Sequence, residues 1–132
     1  MTVEIVLNIA DVWKDVVGFV DNTIPYVHGE FTTQDVRDRL LANEYNLMVI
    51  KNDSTIIGVI IFSTQIVAGK KTAFIVVTAG RHITTSGIWQ DVKTLFSSLG
   101  FVYIEAGMRD STLRLWSKLG FKKKYNMAGV NI

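Results

Sequence analysis

Apolar residues fall into runs whose spacing changes along the chain, and the change of period predicts the order of elements. Val3, Ile5 and Leu7 alternate with Glu4, Val6 and Asn8, a period of two that predicts a first strand. Val12, Val16, Phe19 and Val20 then recur at helical spacing behind Asp11, the expected N-cap, until Asn22 and Pro25 end the run. After a loop over 25–31, Thr32 or Thr33 is placed to cap a second helix through Asp35, Val36, Arg39, Leu40 and Leu41. The β-branched runs 47–50 and 55–62 flank a polar turn, Lys51-Asn52-Asp53-Ser54. A third run, 72–78, follows a turn at Ala68-Gly69-Lys70-Lys71, so a three-strand antiparallel meander is expected.

The second half predicts a small-residue loop over 79–87, then a helix with an apolar face of Ile88, Val92, Leu95 and Phe96, ended by Leu99-Gly100. A strand over 101–106 follows. Asp110 is expected to cap a helix bearing Leu113, Leu115, Trp116 and Leu119, which Gly120 stops, and 121–132 is expected to be extended. No repeat, linker or low-complexity segment interrupts the 132 residues, which predicts one domain over 1–132.

Composition narrows the chemistry. The chain has no cysteine, which excludes disulfide scaffolds, Cys-based zinc sites and thiol nucleophiles. No apolar run approaches the 18 or so residues of a spanning helix. An acidic Glu4 stands where a secretory signal would be positive, so a cytoplasmic location is expected. The net charge of +2 hides an asymmetry: residues 1–66 hold 9 acidic and 4 basic side chains, net −5, and residues 67–132 hold 3 acidic and 10 basic, net +7. Either the surface is unevenly decorated, or the second half meets an anion while the first faces a neutral or cationic partner.

The order strand, two helices, meander, loop into a helix, strand, helix and terminal strands resembles the GNAT acyltransferase superfamily. The resemblance is most specific in the run Asp110-Ser111-Thr112-Leu113-Arg114-Leu115-Trp116-Ser117-Lys118-Leu119-Gly120-Phe121, whose Lys118-Leu119-Gly120-Phe121 ending is close to the superfamily's. It implies an α/β (α+β) fold, a mixed, mostly antiparallel sheet flanked by about four helices. A second signature, Arg or Gln followed by spaced glycines, is similar to Arg81-His82-Ile83-Thr84-Thr85-Ser86, although Thr84 and Ser86 stand where glycines are expected. By the resemblance, backbone N–H groups at this helix N-terminus hold the pyrophosphate of acetyl-CoA. Thr84, Thr85 and Ser86 add hydroxyls, and Gly80 and Gly87 add freedom. The alternative is a plain N-cap by Thr85 or Ser86.

The same resemblance implies a thioester carbonyl polarised by a backbone N–H around Val76, Val77 or Thr78 and a cofactor flanked by His82, Asp110 and Arg114. It also implies a tyrosine acid on the last helix, where this chain has Trp116. Indole releases no proton in that role, so Trp116 is expected to pack in the core or against the cofactor, with Tyr103 or Tyr125 as substitute acids. Glu105 is either the base or the ion-pair partner of a nearby Lys or Arg. His28 and Glu30 fall in the loop that in this superfamily lines the acceptor side. Two distant histidines without a spaced carboxylate set do not make a metal site.

The expected function is acyl-CoA-dependent N-acyl transfer, acetyl first, to a small-molecule or protein amine. The alternative is a GNAT-like domain without catalysis that binds or serves structurally. Small divergent members of this kind resemble acyltransferase-like proteins carried by bacteriophages, including virion-associated ones. The modest charge argues against a nucleic-acid partner, and terminal strands over 127–132 could pair in a homodimer.

Overall fold

The computed structural model describes residues 1–26, 31–124 and 128–132. Strand β1, Thr2–Val6, is followed by helix α1, Ile9–Thr23, a short 3-10 turn at Ile24–Tyr26 and helix α2, Thr33–Leu41. Strands β2, Asn46–Asn52, β3, Thr55–Val67, and β4, Lys70–Gly80, form the meander. Helix α3, Ser86–Ser98, strand β5, Tyr103–Ala106, and helix α4, Asp110–Trp116, complete the order, with a 3-10 turn at Ser117–Leu119. The sheet runs β1-β2-β3-β4-β5, antiparallel except for the parallel β4–β5 pair. This is the expected mixed, mostly antiparallel sheet with four α-helices.

Leu47, Met48, Val49 and Ile50 of β2 are all buried, as are Val59, Ile60, Ile61 and Phe62 of β3, because helices cover both faces of the central strands. On one face Val16 and Val20 of α1 and Val36 and Leu40 of α2 pack on Leu47, Val49, Val59, Ile61 and Val77. On the other, Ile88, Trp89, Val92 and Phe96 of α3 pack on Met48, Ile50, Ile60, Phe62 and Ile75, joined by Trp116. The helical stripes expected for α1 and α3 are therefore the buried ones. In α4 the stripe is narrower, because Leu115 is 47% exposed and Trp116 carries the contact.

Several boundaries differ from expectation for local reasons. Asn8, not Asp11, occupies the N-cap of α1, and Asp11 lies in the first turn, where its charge still suits the helix dipole. Leu7 is 91% exposed beyond the end of β1. The β2–β3 turn shrinks to Asp53-Ser54, with Asp53 at φ 55°, and the β3–β4 turn to Ala68-Gly69, at φ 50° and 78°. Left-handed residues at these two turns match the twist of the strands they join, which lets the ladders run longer than the β-branched runs alone suggest. Arg109 rather than Asp110 is the N-cap of α4. No strand occurs among the described residues after Phe121, so the expected terminal strands are absent from 121–124 and 128–132.

The start of α2 follows the capping chemistry expected of Thr32. The Asp35 N–H donates to the Thr32 hydroxyl at 3.0 Å, and the Thr32 N–H donates to the Asp35 carboxylate at 2.9 Å. The Thr32 backbone bond, then its hydroxyl, hold the Asp35 carboxyl below its ordinary value. A lowered folded-state value means that this support is complete above the ordinary carboxylate range and is lost as pH falls through the lowered value. Thr32→Ala should bring the Asp35 titration, followed by carboxyl NMR shifts, back up toward the ordinary value and fray α2 on acidification before the wild type.

Candidate functional site

β4 and β5 pair over only four residue pairs, from Thr72 opposite Tyr103 to Ile75 opposite Ala106. β4 then continues to Gly80 with β3 alone beside it, while the chain leaves Ala106 through Gly107, Met108 and Arg109 into α4. Five residues of β4, Val76 to Gly80, thus turn one backbone edge to no strand among the described residues. A bulge sits at the same place: Ile61 faces Val77 and Phe62 faces Ile75, which leaves Val76 as an extra residue in β4. Bulges bend a strand and increase its twist, so the divergence of β4 from β5 starts where the ladder is already broken. Past the bulge the β3–β4 contact is close. A Cβ on Gly80, at φ 121°, would come within 2.6 Å of the Gly58 Cα, so this end of β4 requires glycine.

A cleft of about 1400 Å³ opens at the divergence. Phe74, Val76 and Thr78 line it from β4, and Tyr103 and Glu105 from β5. Ile104 and Ala106 pack toward α3, so by strand alternation Tyr103 and Glu105 face the α1 side. Glu105, with 13% of its side chain exposed, is ion-paired to the Lys124 ammonium, which also lies 5.0 Å from the Tyr103 ring centre. Glu105 thus has an ion-pair partner, a lysine that returns alongside β5, which leaves its role as a base open. Across the cleft, the Arg109 guanidinium lies 4.6 Å from the Tyr26 ring centre and links the connection before α4 to the 3-10 turn after α1.

Trp116 forms the cleft's inner wall and is 4% exposed. Its ring meets Trp89 at 5.4 Å and Phe121 at 5.1 Å, and Trp89 meets Phe121 at 5.4 Å. Gly120, at φ 98°, supplies the left-handed turn that folds Phe121 back onto this pair, as the Lys118-Leu119-Gly120-Phe121 ending predicts.

The loop before α3 is placed differently from the other expected site residues. Ile83 is buried and anchors it, Thr84 is half-buried, and Arg81, His82, Thr85 and Gly87 are exposed and do not line the cleft. Thr85 is the N-cap residue of α3, yet its hydroxyl donates back to the His82 carbonyl at 2.7 Å instead of capping forward. The Thr85 side chain thus makes no capping bond to the first turn of α3, whose N–H groups stand at a positive helix end.

Asp110 lines the cleft as the first residue of α4, Arg114 is exposed outside it, and the Val77 side chain is in the α1-side core. His28, Glu30 and Tyr125 lie outside the described residues. Among the described residues, the first half of the chain contributes Asn22, Thr23, Tyr26 and Phe31 to the cleft, none of them charged, so the described acidic side chains of that half do not line it. Sequence reasoning missed Tyr26 and Phe31, and offered Arg109 only as one of several basic residues of the second half for an anionic ligand. Only the rigid Pro25-Tyr26 step and the break after Ala106 hinted at fixed positions. Among the described residues no group of three His, Asp or Glu side chains is placed to hold a metal ion, and no helix is long and apolar enough to cross a membrane.

Trp116→Ala, which empties the centre of the aromatic cluster, should cost about 3–5 kcal/mol of stability in urea unfolding. Glu105→Gln, which breaks an ion pair that is largely buried on the glutamate's side but leaves the lysine half-exposed to water, should cost less, about 1–2 kcal/mol.

No protein-family model matches the sequence, and no curated protein matches it significantly. The fold, in contrast, matches many solved structures. It is similar to an acetyltransferase from Trypanosoma brucei, at 13% identity with 98% of each chain covered and a TM-score of 0.63. A ribosomal-protein-alanine N-acetyltransferase from Brucella melitensis biovar Abortus 2308 gives 8% identity, 100% of each chain and a TM-score of 0.70. A glucosamine-6-phosphate N-acetyltransferase from Arabidopsis thaliana gives 14% identity, 99% of each chain and a TM-score of 0.62. At such identities the likeness is one of fold.

Proposed function

On the GNAT N-acyltransferase fold that this chain shares with those proteins, we propose that it transfers an acyl group, acetyl first, from acyl-CoA to an amine. The observation that carries the reading is the divergence of β4 from β5 at the Val76 bulge, with a cleft at the opening. Acyl-CoA fits the residues at two points. The backbone of Val76 to Gly80 has hydrogen-bonding groups free on the β5 side for an amide-bearing arm. The first turn of α3, which the Thr85 side chain does not cap, with Arg81 exposed nearby, suits a pyrophosphate.

Bound there, the donor supplies an activated acyl carbonyl. The protein's part is to position and polarise. Unpaired N–H groups in the stretch 76–78 are the candidates to stabilise negative charge on the carbonyl oxygen, which costs no reorganisation because the sheet holds them. Thr78, Asp110 and Trp116 wall the same space, and Arg114 stands outside it on α4. The amine approaches from the α1 side, where Tyr26, Phe31 and Arg109 set the shape.

Glu105 faces that side and accepts the ammonium proton directly or through water, with Lys124 fixing the carboxylate's orientation. Tyr103 is the β5 phenol available to return a proton to the leaving sulfur, since Trp116 cannot. With no cysteine in the chain, no acyl-cysteine forms, and attack on the thioester is direct.

Calorimetric titration with acetyl-CoA should show binding that weakens about tenfold in Arg81→Ala. Thiol release across a panel of amines should fall about a hundredfold in kcat/KM for Glu105→Gln. Absence of binding at high acetyl-CoA concentration overturns the reading. Binding without amine-dependent thiol release would support instead a noncatalytic acyl-CoA-binding domain, the reading that a buried Trp116 at the acid's place favours.

A further inference from the structure

Among the described residues, four stretches of sheet edge have no partner strand: β1, β5, the part of β3 that outruns β2, and the end of β4 that borders the cleft. The first two carry charge. β1 has Glu4, ion-paired to Lys51 at 3.1 Å, and β5 has Glu105 with Lys124 beside it. Charges on an edge are the usual means by which proteins block unwanted strand pairing.

The third edge is different. The β2–β3 ladder ends at Asn46 opposite Phe62, while the β3–β4 ladder continues to Val67 opposite Lys70. Ser63-Thr64-Gln65-Ile66-Val67 therefore has its β2-side edge bare, and its last two residues, Ile66 and Val67, lie beyond the β4–β5 ladder as a two-stranded tip. These five residues contain no charge and no proline, and their register with β4 is unbroken by any bulge. Ile66 is 70% exposed and Val67 37%. The two-stranded tip at Ile66 and Val67 is marginal in water and gains from a third strand.

We propose that this edge pairs with the same edge of a second copy of the chain, extending the sheet across a two-fold axis. A two-fold pairing with full overlap centres on Gln65, so position 64 of one copy lies opposite position 66 of the other, and 63 opposite 67. The segment is self-complementary in this register: Thr64 meets Ile66 and Ser63 meets Val67, without like charges in opposition. The neutral edge carries no charge that would select a different partner. A five-residue strand pair supplies less than the roughly 800 Å² per partner of a stable interface, so the dimer is weak and depends on concentration. The tip lies at the end of β4 opposite the divergence from β5, so the cleft stays open in the dimer.

Sedimentation velocity on the full chain, from micromolar to near-millimolar concentration, tests this. The wild type should shift from monomer to dimer across that range. Thr64→Lys with Ile66→Lys sets like charges opposite each other twice and should raise the dissociation constant at least about tenfold. Thr64→Glu with Ile66→Lys sets opposite charges in the same places and should restore dimerisation. Both positions are exposed, and circular dichroism confirms that each variant is folded. A wild type that stays monomeric throughout overturns the proposal, as does a double-lysine variant that dimerises like the wild type. A dimer lost only in Val130→Ser with Ile132→Ser would place the interface at the terminus and overturn it equally.

Discussion

The short parallel ladder between β4 and β5 is the constraint on which the rest of this structure depends. Four residue pairs hold β5 against β4, and the extra residue at Val76 ends the regular geometry just as β5 departs. Had the two strands remained paired to Gly80, the backbone groups of the final five residues of β4 would be consumed by the sheet and no cleft would separate the strands. Because β3 still pairs with β4 through Gly58 opposite Gly80, the open edge is held rigid by its other neighbour. Rigid, unpaired backbone beside a cleft is what binding a carbonyl-rich ligand requires, since donors fixed in advance lose little entropy on binding.

The wall of the cleft is an aromatic problem solved at one glycine. Gly120 takes a conformation that side chains resist, and Phe121 is thereby directed back onto Trp116 and Trp89. Edge-to-face contacts among large rings fix α4 against α3 although α4 is only seven residues long. The same reversal sends the following lysines alongside β5, where Lys124 meets both Glu105 and Tyr103. Packing on one face of the sheet thus decides the electrostatics on the other.

Much of the fold was legible because period and punctuation agree. The stripe of Val16 and Val20, the stripe of Ile88, Val92 and Phe96, the two turns of the meander and the capping box at Thr32 each follow from local chemistry. The less regular ends were not legible: Asn8 displaced Asp11 as the cap of α1, and Arg109 displaced Asp110 at α4, because capping depends on where the preceding strand releases the chain. The expected terminal strands failed for a related reason. Alternating apolar residues at Val130 and Ile132 permit a strand, but a strand needs a neighbour, and these side chains are exposed.

The sequence by itself determined the kinds of element, their order, which helix faces are buried, and an acyltransferase-like ending at Lys118-Leu119-Gly120-Phe121. These depend on interactions within about a turn or two of the chain. Only the tertiary structure decided that Glu105 meets Lys124, that Arg109 crosses to Tyr26, that Thr85 turns away from the helix it precedes, and that the acidic half of the chain keeps its described charges out of the cleft. Those facts depend on the place where β5 leaves β4. The register of two strands joined through a long crossover helix is set by the packing of both sheet faces at once, and no local pattern encodes it.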